Sequence, residues 1–134
     1  MNILFVCRYN RFRSKIAEAY FKKVAKGFNV KSAGIIKGRP LSDSIKRAMK
    51  RHNFPINLVR NGLKAEVLRW VDTVIIVADD VHPSIFSNTK KNGKKIINWR
   101  IRDAQEDSVK EQERIIREIK KKVDNLIKKL KKKN

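Results

Sequence analysis

Residues 2–21 narrow what this chain can fold into more than any other stretch. Ile3, Leu4, Phe5 and Val6 form a short apolar run rich in strand formers and read as a buried strand. From Lys15 onward, Ile16, Ala17, Ala19, Tyr20, Phe21 and Val24 recur at helical spacing. Between strand and helix stand Cys7, five further residues, then Arg13 and Ser14. A loop in that place gathers backbone N–H groups and aims them, with the helix N-terminus, at one point where an anion can sit. Arg13 adds a planar fork of donors matched to phosphate oxygens, and Cys7 falls at the floor of the cup.

The cup suits a nucleophilic cysteine. The thiolate is the reactive form, and the inward N–H groups, the helix dipole, Arg13 and a hydrogen bond from Ser14 all favour it. The same donors suit the equatorial oxygens of a phosphoryl group in transfer, where catalysis is mostly positioning and charge stabilisation. The expected chemistry is attack of Cys7 on a phosphate ester, then hydrolysis of the phospho-cysteine by water. The plainer alternative is a small buried cysteine with a surface arginine. The chain has one cysteine and twelve arginines. By composition an arginine falls six places after the cysteine about one time in ten, and a following serine makes that about one in two hundred. The pattern is therefore read as functional.

Elsewhere, strands alternate with helices, which implies a parallel sheet with right-handed crossovers. The first helix is expected over 14–26 with Gly27 as its stop. A second strand is expected over 28–31, leading into Ser32-Ala33-Gly34 and a loop over 34–40. Ser42 suits the N-cap of a helix that carries Ile45, Ala48 and Met49. Asn61-Gly62 marks a turn before a short helix with Leu63, Val67, Leu68 and Trp70. Residues 72–78 read as a buried strand that ends in Asp79 and Asp80, at the edge where open α/β sheets place ligands. One or two helical turns are expected over 81–87, a polar loop over 88–95 and a last strand over 95–99. Ser108 and Glu111 form a capping-box pattern. After it Val109, Ile115, Ile116, Ile119, Val123, Leu126, Ile127 and Leu130 make one long apolar stripe.

At 134 residues the expectation is one domain spanning 1–134, and 41% apolar content supports a folded globule. No membrane-length apolar run and no signal pattern is present, and a lone cysteine suits a reducing compartment, so the expected location is cytoplasmic with no membrane partner. His52 and His82 give no metal-ligand spacing. The net charge of +21 draws anions and implies non-specific nucleic-acid binding at low salt. No nucleic-acid motif accompanies it, and solvated lysine-rich faces account for the charge equally well.

Cys7 to Ser14, Cys-x5-Arg-Ser, continued by Lys15-Ile-Ala-Glu-Ala-Tyr-Phe21, resembles the low-molecular-weight protein tyrosine phosphatases. Ser32-Ala33-Gly34 and Gly38-Arg39-Pro40 are also similar to landmarks of that family. The resemblance implies a three-layer α/β/α fold with a four-stranded parallel sheet, no metal and no cofactor. It implies a phosphotyrosine-containing protein or a small phosphate ester as substrate. Cys7 becomes the nucleophile and Arg13 the phosphate-binding and transition-state group. Arg8, Tyr9, Asn10, Arg11, Phe12, Arg13 and Ser14 form the cradle, Asn10 and Ser14 bracing it. A thiol phosphatase also needs an acid for the leaving oxygen. Asp103, in the loop after the last strand, is the main candidate, with Asp107 and Asp79 as alternatives.

Four positions depart from the family pattern. Tyr9 stands where glycine is common, and Phe12 where many relatives carry a second cysteine. Arg60 lies where a histidine often supports the loop asparagine, and Ala104 where proline follows the acid. Arg8 and Arg11 make the rim basic, and Arg11 is expected to flank the substrate and favour acidic phosphopeptides. Two other readings stay open. One is arsenate reduction, which would need an external thiol. The other is a non-catalytic phosphate- or nucleic-acid-binding module.

Overall fold

The computed structural model describes residues 1–36, 38–55, 57–105 and 108–132. In chain order the elements are β1 (Asn2–Cys7), α1 (Arg13–Val24), β2 (Asn29–Gly34), α2 (Asp43–Arg51), α3 (Ala65–Trp70) and β3 (Thr73–Ile76). A 3-10 turn (Pro83–Phe86), α4 (Ser87–Lys91), β4 (Lys95–Asn98) and α5 (Val109–Lys132) follow. The four strands pair in parallel, as the expected four-stranded parallel sheet does, and their order is β2-β1-β3-β4. Chain direction across the sheet reverses at β1, which pairs with β2 on one side and β3 on the other. Cys7 is the last residue of β1, so it ends at the switch point where parallel sheets open a crevice.

The pleat sends alternate residues of β1 to opposite faces. Ile3 and Phe5 join Ile75 in a core with Ile16, Ala17 and Phe21 of α1, Ile45, Ala48 and Met49 of α2, and Ile115, Ile116, Ile119 and Val123 of α5. Leu4 and Val6 face the other way, with Val74, Ile76 and Phe86, and with Val67, Leu68 and Trp70 of α3 packed against them. β1 and β3 are covered on both faces, which is why residues 3–6 and 74–76 are unbroken apolar runs rather than alternating ones.

The capping signals hold in part. The Ile45 N–H donates to Ser42 Oγ at 3.1 Å, as expected of an N-cap. The Glu111 N–H donates to Ser108 Oγ at 3.2 Å, but the Glu111 carboxylate accepts from the Gln105 N–H at 3.3 Å instead of closing the box. Residues 88–95 are not all loop: Ser87–Lys91 is helical, anchored by buried Phe86 and Thr89. So short a helix offers no apolar period to read. Val109 is 49% exposed and leaves the expected stripe. Gln112 takes a buried place on α5 instead, its Nε2 donating to Ser44 Oγ at 2.8 Å. Among the described residues no helix is long and apolar enough to cross a membrane.

Candidate active site

Every part of the site hangs from the end of β1. Cys7 is 2% exposed and its Sγ lies 2.9 Å from Ser14 Oγ, in the first turn of α1. That hydroxyl accepts from Asn10 Nδ2 at 2.8 Å, which leaves its proton free to point at the sulfur. Asn10 Nδ2 also donates to Ser32 Oγ at 2.9 Å, and the Ser32 hydroxyl donates to Glu18 at 2.7 Å. Asn10 Oδ1 accepts the Asn61 N–H at 2.8 Å. Wholly buried, Asn10 sits at φ 54, a left-handed backbone that asparagine tolerates better than most residues. A backbone amide thus does for Asn10 what a histidine side chain often does in the family.

Among the described residues, the N–H groups of Arg8, Tyr9 and Phe12 donate to no protein group. Those of Arg13 and Ser14 open α1 and have no partner within the helix. These are the donors that the loop between the sulfur and α1 leaves unused within the protein. Phe12 contributes only backbone, because its ring is buried in the core beside α1.

Arg13 is 2% exposed and held at several points. Its Nη1 donates to the Ile101 carbonyl at 2.8 Å, and its Nη2 to Asp80 Oδ1 at 2.9 Å. Asp79 lies 3.7 Å from Nη1, and Asp103 Oδ1 lies 3.6 Å from Nε. The structure therefore brings Asp103 and Asp79 to the same guanidinium. Asp107 lies outside the described residues. Asp80, the nearest carboxylate, was not among the acid candidates; its place at the end of β3 was the available signal. Asp103 Oδ1 accepts the Ala104 N–H at 3.0 Å, a bond that a proline at 104 could not supply. The turn that delivers this loop has Arg100 at φ 51, its N–H donating to Asn98 Oδ1 at 3.1 Å.

Arg11 does not stand at the rim. It is 8% exposed and its Nε donates to the Pro40 carbonyl at 3.3 Å, under the loop after β2. A basic residue at the mouth remains in Arg8, whose guanidinium lies over the Tyr9 ring at 5.2 Å and 3.9 Å from Asp80. Tyr9 itself needs no left-handed backbone, and its ring rests on Gly38. A Cβ at residue 38 would lie 2.1 Å from Tyr9 Cδ1, so the glycine at 38 makes room for the tyrosine at 9. Arg60 donates to the Gly38 carbonyl and closes the same corner. Among the described residues no cluster of His, Cys, Asp and Glu could hold a metal ion.

The family model for low molecular weight phosphotyrosine protein phosphatases matches residues 2–134. The chain belongs to that family. Of solved low molecular weight phosphatases, one from T. tengcongensis is 27% identical with a TM-score of 0.81, over 96% of this chain and 99% of that one. A YwlE mutant from Bacillus subtilis is 25% identical with a TM-score of 0.84, over 98% and 99%. The arsenate reductase of Archaeoglobus fulgidus, 23% identical with a TM-score of 0.75 over 93% and 98%, shares the fold. A curated relative, the protein-arginine-phosphatase of Bacillus subtilis, is 33% identical over 82 residues. That match spans 56% of this chain and about half, 54%, of the relative's length.

Proposed function

We propose that this member of the low molecular weight phosphatase family hydrolyses phosphorylated protein side chains through a cysteinyl-phosphate. The observation that carries the reading is Cys7 Sγ 2.9 Å from the Ser14 hydroxyl, whose oxygen is already taken by Asn10, on a loop whose Arg8, Tyr9 and Phe12 N–H groups donate to no protein group among the described residues. The Cys7 thiolate attacks phosphorus as the bond to the leaving atom breaks. Asp103 gives that atom its proton. Water then attacks the phospho-cysteine, Asp103 takes a proton back, and phosphate leaves with the thiolate restored. Arg13 and the loop N–H groups hold the three equatorial oxygens throughout.

Hydrolysis of p-nitrophenyl phosphate tests this. Cys7→Ser should abolish turnover, and Asp103→Asn should lower kcat by about a hundredfold or more. Loss with Cys7→Ser but not with Asp103→Asn moves the acid to Asp79 or Asp107. Phosphate binding without wild-type turnover supports the binding-module reading instead.

Phosphotyrosine, with the tyrosine phenol as leaving group, is the substrate the sequence reading favours. One observation favours phosphoarginine as a second reading. Asp79, Asp80 and Asp103 place three carboxylates around the mouth, the complement of a guanidinium leaving group rather than of a phenyl ring. The named arginine phosphatases among the relatives point the same way. Two peptides identical except for phosphotyrosine or phosphoarginine decide between them by the ratio of kcat/KM. Arsenate reduction has less support, because a lone cysteine leaves no second thiol in the chain.

A further inference from the structure

β4 ends the sheet on one side and pairs with β3 along its inner edge. The direction of each backbone group along it follows from its bonds. The Lys95 N–H donates to the Asp72 carbonyl at 3.0 Å and the Trp99 N–H to the Ile76 carbonyl at 2.9 Å, both toward β3. The Lys94 N–H turns the other way, to the Thr89 carbonyl at 3.2 Å. Alternate residues of a strand send their backbone groups to opposite sides, so those of Ile96 and Asn98 face outward. Among the described residues nothing bonds the N–H or the carbonyl of either. Such a row is a template for one more strand.

Beside this edge, between β4 and the C-terminal part of α5, runs a groove of about 610 Å³. Its floor is apolar: Ile97 of β4, Trp99 just beyond it, and Leu126 and Leu130 of α5. Lys95, Lys122, Lys129 and Lys132 wall it, and no carboxylate does. Among the described residues the lysines that pair with carboxylates are Lys22 and Lys46, neither of them here. Four like charges around an apolar floor repel one another and draw an anion. Ile97 and Trp99 are two residues apart and share one face of the sheet, so a strand laid along β4 sets every second side chain over the same floor.

These features together select the occupant. The outward N–H and carbonyl groups match another peptide backbone, which neither a nucleic acid nor a lipid supplies. The lysines match carboxylates. A second copy of this chain is opposed, because it brings the same lysines and a net charge of +21. We propose that the β4 edge and its lysine-walled groove dock an extended acidic segment of a partner protein. The segment adds to the sheet as a fifth strand. Its apolar side chains rest on Ile97, Trp99, Leu126 and Leu130, and its carboxylates meet Lys122 and Lys129. None of these residues belongs to the cup around Cys7, so the proposal stands apart from the phosphatase reading.

The probe is a fluorescein-labelled peptide of Val-Val-Glu-Glu repeats, which as a strand sets valine and glutamate in turn on each face. Anisotropy at about 0.15 M salt, where screening confines charge effects to about 8 Å, should show saturable binding. The double variant Lys122→Glu, Lys129→Glu should bind about tenfold more weakly or worse. Lys50→Glu with Lys110→Glu makes the same change in net charge at exposed positions outside the groove, and should bind within about twofold of the parent. Amide exchange at Ile96 and Asn98 should slow in the complex. That measurement uses the parent protein, so a variant that fails to fold does not remove the test.

Equal weakening by the two double variants overturns the proposal, and so does binding with unchanged exchange at Ile96 and Asn98; either leaves only a diffuse positive field. Absence of saturable binding overturns it as well, and leaves the lysines as protection of the edge against strand pairing. A single-stranded oligonucleotide, or laurate, that displaces the peptide and binds more tightly through Lys122 and Lys129 overturns it in favour of a nucleic acid or a fatty anion.

Discussion

Asn10 is the residue whose replacement should reveal most about how the cup is held. Its side chain makes two buried hydrogen bonds, to Ser14 and Ser32, and a part-buried one in which it accepts the Asn61 N–H. Asn10→Ala takes the acceptor from that N–H and removes a donor from each serine. Asn61 is an exposed residue whose N–H water can reach, so each of the three lost bonds costs about 0.5–1.5 kcal/mol. Alanine must also adopt φ 54, at about 1 kcal/mol. The expected loss is about 2.5–5.5 kcal/mol. Asn10→Gly forfeits the same bonds but occupies the left-handed region freely, so it should lose about 1 kcal/mol less than alanine. Urea unfolding followed by circular dichroism measures both losses, and p-nitrophenyl phosphate turnover in the folded variants reports the Ser14 hydroxyl that Asn10 directs. A loss below about 1 kcal/mol for Asn10→Ala, or a glycine variant less stable than the alanine one, refutes the reasoning.

Two further outcomes follow from contacts away from the sulfur. Gly38→Ala should destabilise the chain by about 1–3 kcal/mol, because its Cβ meets the Tyr9 ring, and Tyr9→Gly in the same chain should restore most of that; equal losses with and without Tyr9, by denaturant midpoint, would break the coupling. For Glu113, burial alone would raise the pKa, but hydrogen bonds from His52 and Arg51 outweigh it and hold the carboxyl below its usual 4.5. Its folded pKa being depressed, its stabilising effect is present above about pH 4.5 and is lost as pH falls through the folded value. Glu113→Gln should therefore flatten the acid limb of Tm against pH, as calorimetry would show.

The loop and sheet were legible because their signals are local. A buried strand, a phosphate loop and a long amphipathic helix each announce themselves within one turn or one pleat, and Cys7, Arg13 and Ser14 met in space because they share one strand–loop–helix unit. What lay beyond reach was set by long-range packing. Nothing near Arg11 in sequence shows that Pro40 will cover it, so a cation expected at the rim is buried. Nothing near Arg13 shows that Asp80 will be its nearest carboxylate, since 67 residues separate them. The Tyr9 departure looked like a threat to the loop until Gly38 supplied the missing volume from another segment.

The way Arg13 is held bears on how tightly the cup can bind. A long flexible side chain that orders only when its ligand arrives loses up to about 2 kcal/mol of rotamer freedom at that moment. Arg13 has lost it already, during folding, because the Ile101 carbonyl and Asp80 fix its fork. Substrate entry is then an exchange of one anion for another at a preorganised cation.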